Sequence, residues 1–218
     1  FPQGIFAGLR VGVYQHSSTG REIFPEILRR LGAEVVELGW AKEFVAVDTE
    51  ALDKRTIEVA REWCRKHRLF GLVTADGDAD RPLVADENGN WFRGDTAGLL
   101  CAAQLGLQAL AVPISCTTAI EKSGFFQRVI RTRIGSPYVI EGMRRLSAPA
   151  VGGFEANGGF LINTPLHKNG RKLEALPTRD AAIVHLALLE RSVEKRCRLS
   201  ELTRELPQRF TFSDHLKN

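Results

Sequence analysis

The stretch Phe70–Phe92, FGLVTADGDADRPLVADENGNWF, decides how the rest of the chain is read. It opens on a short apolar run, Phe70 to Ala75, that has the composition of a buried strand. Aspartates follow at alternate positions, Asp76, Asp78 and Asp80, separated only by Gly77 and Ala79, and Arg81 and Pro82 come next. A second apolar run then leads to Asn88–Gly89, a hairpin-turn signal, and on to Trp91 and Phe92. In a strand, carboxylates at i, i+2 and i+4 would share one face but spread over roughly 13 Å. In a helix, residues two apart point in different directions. A tightly curled loop is what brings all of them onto one small ion, and Gly77 and the small Ala79 suit such curling. Oxygen-only ligands select a hard cation, magnesium or calcium. Arg81 adds a group suited to phosphate, so the stretch reads as a metal ion presented to a phosphoryl group.

Working outward, Leu9–Gln15 (LRVGVYQ) and Ala33–Leu38 (AEVVEL) are strand-like. Between them Ile23, Phe24, Ile27, Leu28 and Leu31 recur at helical spacing. A second amphipathic helix carries Leu52, Ile57, Ala60, Trp63 and Cys64 before the Phe70 run. Strand, helix, strand, helix, strand with short connections predicts parallel pairing. The aspartate loop then lies at the carboxyl end of a strand, where open α/β sheets place ligands. From Asp95 the pattern restarts, with strands in LQALAVPI, FQRVIRTRIG, APAVGGFE and FLINT and a last helix in TRDAAIVHLALLERSVEK. The expected fold is α/β, as two consecutive three-layer α/β/α domains with mixed, mainly parallel sheets. The domains are placed at 1–94, with the metal loop, and 95–206, with 207–218 as a linker toward something further along the polypeptide.

Composition narrows the function classes. With 44% hydrophobic and 26% charged residues over 218 positions, the chain is globular rather than disordered. Its formal charge of +4 is scattered, and no basic stripe with interleaved aromatics points to nucleic acid. RVIRTR (Arg128, Arg131, Arg133) is either solvated surface or an attractor for an anionic substrate. Cys64, Cys101, Cys116 and Cys197 form no ligand spacing and are expected as free thiols in a reducing cytoplasm. Thr96–Ile120 has no charged residue, but Gly98, Gln104, Gly106, Gln108 and Pro113 make it a helix, stop and buried strand rather than a membrane span. The first residue is Phe1 rather than methionine, which suggests a piece of a longer protein.

An EF-hand is the sharpest rival for the aspartate loop, because Glu87 falls at its twelfth position. Its sixth position, however, is Arg81 where that loop needs glycine. DGDADR closely resembles the magnesium loop DGDGDR of the phosphohexomutases, the phosphomannomutase/phosphoglucomutase superfamily. GFEANGG (Gly153–Gly159) resembles that family's sugar-binding loop, and the segment between the two resembles its third domain. The resemblance implies a mutase that interconverts hexose 1-phosphate and hexose 6-phosphate, for mannose or glucose, through a phosphoserine and a bisphosphate. Asp76, Asp78 and Asp80 would bind Mg2+, Arg81 would position the phosphate, and Glu155, Asn157 and Ser136 would contact the phosphohexose. From the composition and the interrupted apolar run, no nucleic-acid or membrane partner is expected.

Several positions depart from the family's pattern. Asn157 stands where serine is usual, and Gly159 stands where histidine is common, so no imidazole is available there for proton transfer. Nothing resembles the family's T-A-S-H-N-P phosphoserine motif; the nearest serines, Ser17 and Ser18 beside His16, read as a polar strand-to-helix turn. The chain is therefore expected to be domains 2 and 3 of such an enzyme, with domains 1 and 4 as missing partners in the same polypeptide. On its own it is expected to lack turnover. The alternative is a stand-alone module that binds phosphosugar or metal without catalysis.

Overall fold

The computed structural model describes residues 1–168 and 170–210. The chain forms two four-stranded sheets built on one plan. In the first, β1 (Arg10–His16) pairs in parallel with β2 (Glu34–Trp40) and β3 (Gly71–Ala75), and β4 (Pro82–Ala85) closes the edge antiparallel to β3. In the second, β5 (Ala109–Pro113) pairs in parallel with β6 (Arg128–Thr132) and β7 (Val151–Phe154), and β8 (Phe160–Ile162) runs antiparallel to β7. The orders β2-β1-β3-β4 and β6-β5-β7-β8 are the same topology drawn twice. Both are mixed, mainly parallel sheets flanked by helices, as the alternating pattern predicts.

Helices α1 (Ile23–Arg30) and α2 (Lys54–His67) connect the strands of the first sheet. The side chain of Asp53 caps α2 by accepting from Thr56 N at 2.7 Å. Ala60 and Cys64 of α2 pack on Leu72 and Ala85, covering one face of the first sheet. The second sheet has the corresponding α4 (Ala119–Lys122) and α5 (Ser136–Arg144), with Val139 and Met143 packed on Ala109, Ala111 and Val151. These are amphipathic helices with one side in a core, which is why their spacing is readable.

Helices α3 (Gly94–Gln104) and α6 (Ala181–Lys195) behave differently. Both are buried over most of their circumference and pack on each other between the two sheets. The uncharged run after Thr96 is thus a buried helix followed by β5, whose residues are all buried. Gly98 allows the close approach of α3 to the second sheet, since a Cβ there would lie 2.6 Å from the Phe154 ring. Helix α6 follows the second sheet in sequence but also packs on β4 of the first. His185 on α6 donates from Nε2 to Thr74 O at 2.8 Å. A 3₁₀ helix, Leu199–Glu205, then lays Leu199 over Gly71. The central core accordingly runs without a break from Val73 and Val84 through Leu99 and Leu188 to Phe154 and Phe160. Two elements were not expected, the 3₁₀ helix and a short hairpin of β9 (Leu166–Lys168) and β10 (Arg171–Leu173). Of the expected linker, 207–210 are described and 211–218 lie outside the described residues.

Candidate metal centre and the loop that faces it

The aspartate loop joins β3 to β4 at the carboxyl end of the first sheet. The Asp76 carboxylate organises it, with Oδ1 accepting from Asp80 N at 3.2 Å and from Arg81 N at 3.1 Å. Of the two residues suited to the curl, Ala79, at φ 64, takes the left-handed conformation and Gly77 does not. A Cβ on Gly77 would lie 3.3 Å from the ring of Phe44, an exposed side chain with room to shift. The neighbouring turn after β1 anchors the outside of the loop: Ser18 Oγ donates to Asp76 O at 2.8 Å and Thr19 N to Gly77 O at 2.9 Å. Ser17 Oγ accepts from Val45 N at 2.8 Å. Both serines are thus engaged in holding backbone.

One oxygen from each of Asp76, Asp78 and Asp80 can be chosen so that all lie within 4.8 Å of one another. Burial, then the charges of Asp78 and Asp80, push the Asp76 carboxyl above its ordinary range, against the opposing pull of the Arg81 and Asp80 amides. Asp80 Oδ1 is buried and has no hydrogen-bond donor. A buried carboxylate oxygen without a hydrogen-bond donor, among like charges, fits a hard cation and is costly without one. Glu87 does not join the cluster, because its carboxylate accepts from Ser200 Oγ at 2.6 Å, and strands flank the loop on both sides. That geometry excludes the EF-hand. Arg81 is half-exposed; its Nε lies 3.5 Å from Asp76 Oδ2 and 3.8 Å from Asp80 Oδ1.

The second loop, Glu155–Gly159, joins β7 to β8 and so occupies the same place in the second sheet. It is a tight turn, with Gly158 at φ 89 and Asn157 Oδ1 accepting from Gly159 N at 2.9 Å. Glu155 and Asn157 are both buried. The loop is seated directly against the start of β4 and of α3. A Cβ on Gly94 would be 2.4 Å from Ala156 O, and one on Gly158 would be 3.1 Å from Pro82 Cγ. The two loops are therefore brought together. Ser136 stands apart at the head of α5, and among the described residues no side-chain hydrogen bond ties it to either loop.

Arg179 was not singled out from the sequence and proves to connect the two loops. Its guanidinium pairs with Asp80 Oδ2 on one side and reaches Glu155 Oε2 at 3.4 Å on the other. The following residue, Asp180, caps α6 through Ala182 N at 2.7 Å, which fixes where Arg179 leaves the helix. In the sequence, TRD reads only as a helix start, so the tertiary role carries no local signal. Arg131, by contrast, is used internally. It donates to Pro113 O, Cys116 O and Thr117 O and pairs with Glu121, so it orders the β5–α4 turn and does not face an incoming anion.

Residues 6–89 match the phosphoglucomutase/phosphomannomutase alpha/beta/alpha domain II, and residues 93–210 match domain III. A phosphomannomutase of Salmonella muenchen is 46% identical over 220 residues, covering 100% of this chain and 46% of that protein. A phosphoglucomutase/phosphomannomutase family protein of Burkholderia thailandensis superposes with a TM-score of 0.73 at 17% identity, over 92% of this chain and 43% of that one. The Aspergillus fumigatus N-acetylphosphoglucosamine mutase, solved in complex with GlcNAc-6P and magnesium, gives a TM-score of 0.61 at 17% identity, over 92% of this chain and 50% of that one. At such identities the two structures speak to fold alone, and the chain spans about half or less of the length of each of these proteins. Two consecutive matches that together run from residue 6 to residue 210 place this chain in the phosphoglucomutase/phosphomannomutase family, with domains II and III as its counterparts.

Proposed function

We propose that the protein carrying this chain is a phosphohexomutase, interconverting hexose 1-phosphate and hexose 6-phosphate with mannose or glucose as the sugar. The chain supplies the cation site and the sugar-facing loop. The observation that carries this reading is the seating of the Glu155 loop on Pro82 and Gly94, which sets a second kind of polar loop beside a hard-cation cluster. The name phosphomannomutase on the Salmonella muenchen relative, and the magnesium and phosphosugar held by the Aspergillus fumigatus protein, support it.

Magnesium on Asp76, Asp78 and Asp80 would supply positive charge against the negative charge that develops on a transferring phosphoryl group. The chain's own residues do the positioning. Arg81 has a buried Nε without a hydrogen-bond partner, and a half-exposed side chain free to take a phosphate oxygen. Glu155 accepts from sugar hydroxyls. Asn157 donates from its amide nitrogen, since its oxygen is committed to the turn. Ser136, at the head of α5, offers a further polar contact. The phosphoserine and domains 1 and 4 come from the remainder of the same polypeptide, in the cytoplasm. Among the described residues no helix is long and apolar enough to cross a membrane.

A coupled mannose 1-phosphate assay and a Mg2+ titration of the purified 218-residue chain test the reading. The expected result is no turnover, together with Mg2+ binding that Asp78→Asn abolishes. Turnover by this chain alone would overturn the division of labour. Equal Mg2+ binding by Asp78→Asn would overturn the cation site.

A further inference from the structure

The contacts of Arg179 set up a competition. Its guanidinium holds Asp80 Oδ2, while Asp80 Oδ1, on the same carboxylate, is buried and without a donor. One carboxylate thus serves a fixed cation on one oxygen and keeps the other without a hydrogen bond, 3.8 Å from Arg81 Nε, for an ion shared with Asp76 and Asp78. The guanidinium also reaches Glu155 of the second loop. Arg179 is largely buried, with 23% of its side chain exposed, so water screens these charges only in part. Its stem is confined too, because a Cβ on Gly159 would lie 2.6 Å from Arg179 Cδ. Glycine at 159 therefore leaves the space in which the arginine lies.

We propose that Arg179 is a positioning residue that ties Asp80 of the aspartate loop to Glu155 of the facing loop and competes with the divalent cation for Asp80. Glu155 draws the guanidinium away from Asp80 and so favours the cation. Binding at either loop is then linked to binding at the other, and linkage makes the effect reciprocal. The inference rests on the reading of Asp76, Asp78 and Asp80 as cation ligands. It extends that reading by making cation affinity a property of both loops.

The test is the Mn2+ affinity of the intact chain, measured by calorimetry, with circular dichroism melts confirming that each variant is folded. Arg179→Met removes the competing charge and should tighten Mn2+ binding, on the order of ten-fold, as expected for a nearby positive charge in a partly buried site. Arg179→Lys keeps the charge and should return affinity to within about three-fold of the parent. Glu155→Gln should weaken binding about three-fold in the parent and have almost no effect in the Arg179→Met background, the non-additivity expected of residues sharing one network. Gly159→Ala displaces the arginine stem without changing any charge and should also tighten binding, which keeps the test open if Arg179→Met folds poorly. Unchanged or weaker Mn2+ binding in both Arg179→Met and Gly159→Ala overturns the competition. Additive effects of Glu155→Gln and Arg179→Met overturn the link between the loops. If the parent and Asp78→Asn bind Mn2+ equally, the cation site itself falls and the inference falls with it, an outcome distinct from the others.

Discussion

The β3–β4 loop and the β7–β8 loop sit at the same point of the same topology, yet they solve opposite electrostatic problems. The first gathers the carboxylates of Asp76, Asp78 and Asp80 and leaves one buried oxygen without a hydrogen bond. The second carries the single buried carboxylate of Glu155, already within reach of an arginine, and closes as a self-bonded turn through Asn157 and Gly158. The sheet thus dictates where a loop is presented, and the loop's own residues dictate what it holds. What supports each loop from behind differs as well. The aspartate loop rests on polar contacts from the β1 turn and from two histidines, whereas the Glu155 loop rests on two stacked phenylalanines.

That difference in support gives the largest expected effect. Phe154 and Phe160 face each other across the β7–β8 pair, fully buried, with ring centroids 6.0 Å apart. Phe160→Ala should cost about 3–5 kcal/mol, the usual range for a large buried aromatic truncated to alanine. Urea unfolding measures this. Below the new midpoint, Mn2+ affinity at the aspartate loop should change by no more than about three-fold, the effect expected if only the Arg179 link between the loops is disturbed. A loss of cation binding well beyond that in the folded variant would mean that the two loops lean on the same support.

Acid should strike the other loop. The carbonyls of Thr74 and Ala75, which end β3, accept from His185 Nε2 and His16 Nε2, both at 2.8 Å. A carbonyl can only accept, so each imidazole donates from Nε2, and burial is what favours the neutral ring. Burial, only partly offset by the carbonyl, lowers the His185 pKa from 6.5 to about 4, and burial lowers that of His16 as well. The unfolded chain then binds a proton at His185 that the folded chain refuses. Stability is therefore full above the unfolded value and falls as pH drops toward the folded one. For His185 alone the loss is about 2 kcal/mol near pH 5. Urea midpoints measured at neutral pH and near pH 5 should differ accordingly, and His185→Gln should flatten the dependence. Hydrogen exchange should locate the acid-sensitive amides at the end of β3 and spare β7.

What the sequence makes legible follows the range of each interaction. Asp76, Asp78 and Asp80 declare themselves because their pattern is local and their mutual repulsion demands a cause. The strands and the outer helices α2 and α5 also show, since each has one apolar side at a regular period. Helices α3 and α6 are apolar nearly all round, so nothing in their periodicity says which sheet they cover. That is why the reach of α6 onto β4 was invisible. Strands β9 and β10 are too short to show alternation. Arg179 meets Asp80 and Glu155 across long stretches of chain, and nothing local says that Ala79 rather than Gly77 takes the left-handed turn.

The smallest effect bears on the residue most easily misread. Ser18 stands beside His16 in a polar turn, where a serine invites assignment as a nucleophile. Its hydroxyl donates to Asp76 O at 2.8 Å and lies 3.3 Å from Gly20 N, whose proton it accepts. Both of its hydrogen-bonding roles are thus filled by backbone, and the side chain is almost fully buried. Ser18→Ala would leave the buried Gly20 amide unpaired and take from the Asp76 carbonyl one of its two donors, the other being Ala79 N, costing about 1–2 kcal/mol. Since Asp76 is the residue around which the aspartate loop is wound, Mn2+ affinity should weaken too, while the Glu155 turn keeps its hydrogen bonds. Calorimetry on Ser18→Ala and Ser17→Ala separates the two serines, because Ser17 is bonded to Val45 and not to the loop. If Ser18→Ala leaves both stability and Mn2+ affinity unchanged, the β1 turn does not hold the cation loop in place.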